Sequence, residues 1–139
     1  MEAESLSEDS LPELRVLLID DHVAFSKLVT LYANRSGKAL FDVLTVQSID
    51  EAADILKTRD FDLLLLDGRL SDDRSPTRNA ELVSEIYKGP IILFSGMIPA
   101  DFDTSEEYHL FSGAISKDDL PKPHFTEALI RISGKIDVS

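Results

Sequence analysis

Residues 61–70 read FDLLLLDGRL: four leucines in a row, 63–66, closed by an aspartate and a glycine. An apolar run this short, bounded by polar and turn-forming residues, fits a strand covered on both faces, the environment of a parallel sheet. Two further quartets have the same form, residues 16–19 in LRVLLIDD (14–21) and residues 91–94 in PIILFSG (90–96). Between the quartets run helical repeats. Ile49, Ala52, Ala53 and Leu56 follow the capping residue Ser48, and Phe125, Ala128, Leu129, Ile132 and Ile136 form a second stripe of 3.6-residue period. A helix over 23–36 is expected to turn Leu28, Leu31 and Tyr32 inward, with Gly37 beside its C-terminal cap. The segment PADFDTSEEYHLF (99–111) carries the proline and early acids of a helix start, but its apolar positions hardly share a face, so a loosely held helix is expected.

The resulting order is β(15–19) α(23–36) β(41–47) α(49–58) β(62–66) α(79–88) β(90–94) α(100–111) β(113–116) α(122–136). Strict alternation of this kind implies an α/β fold with a doubly wound five-stranded parallel sheet and right-handed crossovers. The length of 139 residues suits one such domain, expected over 14–139 behind a mobile acidic tail at 1–13 that holds five acids and no base. A formal net charge of −12 repels phosphate backbones and anionic lipids, so this chain is not expected to bind nucleic acid directly or to associate with membranes. With no cysteine, disulfides and thiolate sites are excluded; the composition fits a reducing compartment, and a cytoplasmic location is expected. The longest apolar runs are far below the roughly 20 residues of a membrane span.

Ligands of open parallel sheets bind beyond the carboxyl ends of the strands. There the chain places Asp20-Asp21 after the first strand, Asp67 after the third, Ser95-Gly96 after the fourth and Lys117 after the fifth. Three carboxylates at one rim must hold a proton or a cation among them, and oxygen ligands suit Mg²⁺. Asp67, on the central strand, is then the candidate nucleophile. Ser95 and Lys117 would hydrogen-bond and neutralise a transferring phosphoryl group, and Gly96 would let the backbone approach it. Singly, each residue is as readily a helix cap or a solvated charge. The three histidines, His22, His109 and His124, form no close-spaced set and read as surface or capping residues.

LLIDDHVAF, FDLLLLDGRL, PIILFSG and GAISKDD, in that order and spacing, resemble the receiver domain of two-component response regulators over most of the chain. The resemblance implies the flavodoxin-like receiver fold and a phosphoacceptor role. Asp67 would take a phosphoryl group from a phosphohistidine on a sensor histidine kinase or a histidine phosphotransfer protein. Asp21 would bind Mg²⁺ directly, Asp20 directly or through water, and the Arg69 carbonyl would complete the protein ligands. Such a domain is not an enzyme beyond its own phosphotransfer and autodephosphorylation. Output would pass by protein contacts through the 99–120 segment and the C-terminal helix face, with phosphorylation-dependent dimerisation an open option.

The chain departs from the family at several points. Ala114 stands three positions before the lysine, where an aromatic is usual, with Phe111 and Tyr108 nearest by position. Asp118 replaces the proline that normally follows the lysine, as in the subclass that often carries helix-turn-helix output domains. The loop after Asp67 is about four residues longer than typical and lacks the usual proline. Two other readings therefore stand beside the phosphoacceptor: a phosphorylation-independent binding module of the same fold, and an aspartyl-nucleophile phosphatase. The last requires an acid two residues after the nucleophile, where the chain has Arg69.

Overall fold

In the computed structural model, which describes residues 11–35, 37–71 and 73–134, five strands and four helices alternate along most of the chain. They are β1 (Glu13–Ile19), α1 (Val23–Asn34), β2 (Leu40–Val46), α2 (Ile49–Leu56), β3 (Leu63–Asp67), α3 (Pro76–Ser84), β4 (Ile91–Ser95), β5 (Gly113–Ser116) and α4 (Pro123–Ser133). All strand pairs are parallel, in the order β2-β1-β3-β4-β5, the doubly wound flavodoxin-like arrangement.

The leucine quartet of β3 explains the two-layer core. Leu63 and Leu65 face the α1 and α4 side with Val16, Leu18, Phe94, Phe125 and Leu129. Leu64 and Leu66 face the α2 and α3 side with Leu17, Ile19, Ala52, Val83 and Leu93. Successive strand residues point to opposite faces, and both faces are covered, so no position in the quartet can be polar.

Helix starts follow local capping chemistry. Ser48 Oγ accepts the Glu51 amide at 3.1 Å while Glu51 Oε1 accepts the Gln47 amide at 2.7 Å, a reciprocal closure of the first turn of α2. Replacing Ser48 by alanine is expected to cost about 1 kcal/mol, read as a lower urea midpoint with an unchanged slope. Helix α3 begins at Pro76 behind the Ser75 cap, whose side chain accepts from the Arg78 amide, and it ends at Ser84. The span expected at 79–88 is thus displaced toward the N-terminus; a serine followed by proline at the first helical position was the signal that set it. The long loop before α3 is anchored by Arg74 Nε donating to Asn79 Oδ1 at 2.8 Å, with Asn79 buried.

Three expectations are corrected. In α1 the inward face is Val29 and Ala33, with Phe25 and Tyr32 packed beside them, whereas Leu28 and Leu31 are 38% and 59% exposed. Both stripes satisfy a 3.6-residue period and share Tyr32; the choice between them is made by packing on β2 and α4. Second, the 100–111 segment forms turns and a 3₁₀ turn at Glu106–Tyr108 rather than an α-helix. An α-helix would set Phe102 and Phe111 about 180° apart. In the turns, Phe102 instead stacks on Tyr108 at 5.4 Å and meets Phe111 at 6.1 Å between ring centres. The third concerns chain ends. Helix α4 stops at Ser133 before Gly134, which takes a left-handed φ of 67°, so the expected continuation to 136 does not occur as helix at Gly134. Ile136 and residues 1–10 of the expected tail lie outside the described residues, while Pro12 accepts the Leu40 amide at 2.9 Å and Glu13 already belongs to β1. Among the described residues no helix is long and apolar enough to cross a membrane.

Candidate functional site

Parallel strands deliver their carboxyl ends to one rim. Asp20 follows β1, Asp67 ends β3 and Ser95 ends β4; all three are buried. Lys117 opens a 3₁₀ turn directly after β5, with its side chain only 11% exposed. Its ammonium lies 2.9 Å from Asp20 Oδ2 and 3.3 Å from Asp67 Oδ1, above the Phe25 ring at 4.4 Å. That position combines two ion pairs with an aromatic face, which holds a cation in a site with little water.

The carboxylates differ in their surroundings. Burial pushes the Asp67 carboxyl above the usual range and Asp20 adds to this, while the Arg69 amide and Lys117 oppose it. The Arg69 amide donates to Asp67 Oδ1 at 3.1 Å. Asp21 is half-buried, and the Ser71 hydroxyl, which donates to its Oδ2, holds its carboxyl below the usual range against the smaller effect of burial. Asp20 Oδ1 accepts the His22 amide at 2.8 Å.

Asp21 Oδ1 and Asp67 Oδ2 are buried and accept no hydrogen bond. Buried carboxylate oxygens left without partners in one cluster are costly unless a cation lies between them. The donor set is hard, anionic and oxygen-rich, so these residues fit a divalent ion such as Mg²⁺.

A cleft of about 290 Å³ opens over Asp67, lined also by His22, Arg69, Ser95, Gly96, Met97 and Lys117. Ser95 Oγ accepts the Met97 amide at 3.3 Å, which leaves its own hydroxyl hydrogen available to a ligand. Arg69 and Gly96 are exposed on this rim, and a Cβ at Gly96 would meet nothing within 4 Å. At this rim the glycine that the packing demands is Gly68, where a Cβ would lie 2.9 Å from Ser95 Oγ. Gly68→Ala is therefore expected to displace the Ser95 side chain and to cost about 1–3 kcal/mol by overpacking, measured by urea unfolding. The sequence alone did not mark Gly68, because the contact spans two strands.

The sequence expects of His22 only a surface or capping place. It occupies the cap position of α1 without a side-chain capping bond, and its Nδ1 faces the three aspartates at 3.2–3.9 Å. His109 and His124 lie away from the rim, the first against the Glu106 carbonyl and the second against Asp119. Of the aromatic residues near Ala114, Tyr108 lines a neighbouring cavity of about 220 Å³ with Gly68, Arg69, Ser95 and Met97, whereas Phe111 is buried in the core.

Solved structures share this architecture. The response regulator TrrA from Thermotoga maritima, determined in complex with Mg²⁺-BeF, is 17% identical, with a TM-score of 0.67 over 86% of this chain and 98% of that one. The chemotaxis response regulator CheY4 of Vibrio cholerae is 19% identical, with a TM-score of 0.69 over 86% and 98% of the two chains. The receiver domain of the Francisella response regulator 1452 is 14% identical, with a TM-score of 0.68 over 86% and 96%. A search of curated proteins gives no match. The family model for the response regulator receiver domain matches residues 16–122, from the start of the β1 quartet to the turn before α4. A match of that extent, on a sheet of this strand order, makes the chain a member of the response regulator receiver domain family.

Proposed function

We propose that the protein is a phosphoacceptor in two-component signalling, in which Asp67 takes a phosphoryl group from a phosphohistidine. The observation that carries this reading is the Asp67 carboxylate itself: buried at the floor of an open cleft, one oxygen without a hydrogen bond, and the largely covered Lys117 ammonium 3.3 Å from the other. One Asp67 oxygen attacks phosphorus, the P–N bond breaks with its electron pair leaving on the donor imidazole, and an acyl phosphate forms. Burial keeps the carboxylate poorly solvated and so more reactive, while the Arg69 amide fixes its orientation. Asp20, Asp21, Asp67 and the Arg69 carbonyl would hold Mg²⁺, which when bound offsets the carboxylate charge and that of the phosphoryl oxygens.

The remaining residues act after transfer. The Ser95 hydroxyl donates to a phosphoryl oxygen, and Lys117 exchanges its pairing with Asp20 and Asp67 for a pairing with the new anion. Gly96, with open space around it, admits the phosphoryl group beside its backbone. Lys117 starts the turn after β5 and Ser95 leads into 97–111, so both shifts pull on the segment with the exposed acids Asp101, Asp103, Glu106 and Glu107. That surface and the α4 face are the proposed output. The donor, a sensor histidine kinase or phosphotransfer protein in the cytoplasm, would meet the rim and the adjoining surface of α1, on which Leu28 and Leu31 stand exposed.

Beryllofluoride with Mg²⁺ is expected to shift the amide signals of Asp67, Ser95, Lys117 and the 97–111 segment, with the sedimentation coefficient reading any dimerisation in the same samples. An unchanged spectrum would favour the phosphorylation-independent binding module, a reading supported by Ala114 and by the turns in place of a helix at 100–111. Sustained hydrolysis of an aryl phosphate would instead point to a phosphatase.

A further inference from the structure

The transfer chemistry gives His22 no task, yet its ring is at the centre of the rim. Its backbone caps α1, but the side chain makes no capping hydrogen bond. Nδ1 instead lies 3.2 Å from Asp21 Oδ1, 3.3 Å from Asp20 Oδ1 and 3.9 Å from Asp67 Oδ2. One ligand atom from each of these four residues falls within 4.8 Å of the others. Neighbouring ligands of an octahedral ion with bonds of about 2.1 Å are about 3 Å apart and opposite ones about 4.2 Å, so the 3.2 and 3.3 Å separations suit adjacent corners of one coordination sphere and the 3.9 Å separation lies nearer to opposite corners. Asp67 Oδ2, on a side chain 3% exposed, and Asp21 Oδ1 point into this space without hydrogen bonds. The imidazole, 62% exposed, lines the cleft through which an ion would enter.

We propose that His22 Nδ1 is a nitrogen ligand of the carboxylate site and biases it toward a first-row divalent ion, Mn²⁺ or Co²⁺, over Mg²⁺. The inference rests on the reading that Asp20, Asp21 and Asp67 hold a divalent cation. Mg²⁺ takes oxygen ligands and keeps its waters, so an imidazole adds little to its binding; first-row transition ions bind imidazole well. The His22 ring contributes little to the fold. Among the described residues its ring meets the edge of Phe25 at 6.5 Å between ring centres, and the amide that orients Asp20 is backbone and survives substitution.

The full chain and His22→Ala are titrated with Co²⁺, followed by its visible d–d bands, and with Mn²⁺ and Mg²⁺ in competition; amide spectra verify that the variant is folded. The native chain is expected to show a Co²⁺ spectrum with a nitrogen ligand. In the variant, the Co²⁺ and Mn²⁺ dissociation constants are expected to rise at least about tenfold, with the Mg²⁺ constant changed less than about threefold. Equal changes for all three ions, or an unaltered Co²⁺ spectrum, would overturn the proposal while leaving the carboxylate site standing. A rise in Mg²⁺ affinity with no change in the Co²⁺ spectrum would also overturn it, by showing the ring to be a competing cation. Absence of any metal binding to the native chain would refute the carboxylate site, and the His22 role with it.

Discussion

Asp67→Asn is expected to abolish phosphoryl uptake from acetyl phosphate in the presence of Mg²⁺, with no added mass in the intact protein and no beryllofluoride-induced amide shifts. An amide of the same shape is too weak a nucleophile to open the phosphoryl donor, and among the described residues no other carboxylate combines the same burial with a lysine and an open cleft. Undiminished labelling in this variant would move the acceptor elsewhere. The same substitution is expected to stabilise the metal-free fold, because it removes a buried charge that Asp20 repels. The native Asp67 carboxyl titrates above its ordinary value of 3.8, so the folded state holds its proton more tightly than the unfolded chain does. Stability from this group is complete below 3.8 and falls as pH rises from there through the raised native value. Thermal melts in chelator should therefore show the gap between Asp67→Asn and the parent widening from acid toward neutral pH. A constant gap would mean that the carboxyl is not shifted upward.

Lys117→Met carries the largest expected cost in stability. Asp20 is fully buried and Asp67 nearly so, and both have the Lys117 ammonium within 3.3 Å. Removing one member of a buried charge cluster leaves the others uncompensated, at about 3–5 kcal/mol. Urea unfolding in chelator at neutral pH measures this loss, which should shrink in acid as the Asp67 carboxyl takes up its proton. Lys117→Arg keeps the charge but presents a planar fork in place of a point charge, so stability should recover more than the response to beryllofluoride. A Lys117→Met variant within about 1 kcal/mol of the parent would show that the ion pairs contribute little to the fold.

Much of this protein was legible before any coordinates. The quartets at 16–19, 63–66 and 91–94 read as doubly covered strands, because they are too short for a helix, are bounded by polar and turn-forming residues and leave no polar face, and all twelve residues are buried. A parallel sheet then delivers Asp20, Asp67, Ser95 and Lys117 to one rim, so the composition of the candidate site followed from the positions of strand ends alone. The excess of acid over base is also local, with a large share in residues 1–13, the rim aspartates and 101–107.

Tertiary structure decided what periodicity leaves degenerate. Leu28 and Leu31 satisfy a helical stripe as well as Val29 and Ala33 do, and only the surfaces of β2 and α4 select the second pair. Proline and early acids at 99–107 satisfy the local rules for a helix start, but burying Phe102, Tyr108 and Phe111 together requires a chain that turns, so packing overrides the start signal. The need for glycine at Gly68 depends on the distance between β3 and β4, and the place of His22 among three carboxylates depends on the direction in which α1 leaves β1. Sequence determined which groups reach the rim, because strand direction and period are local properties. Distances across the rim are set by the packing of elements remote in the chain, and only the fold could fix them.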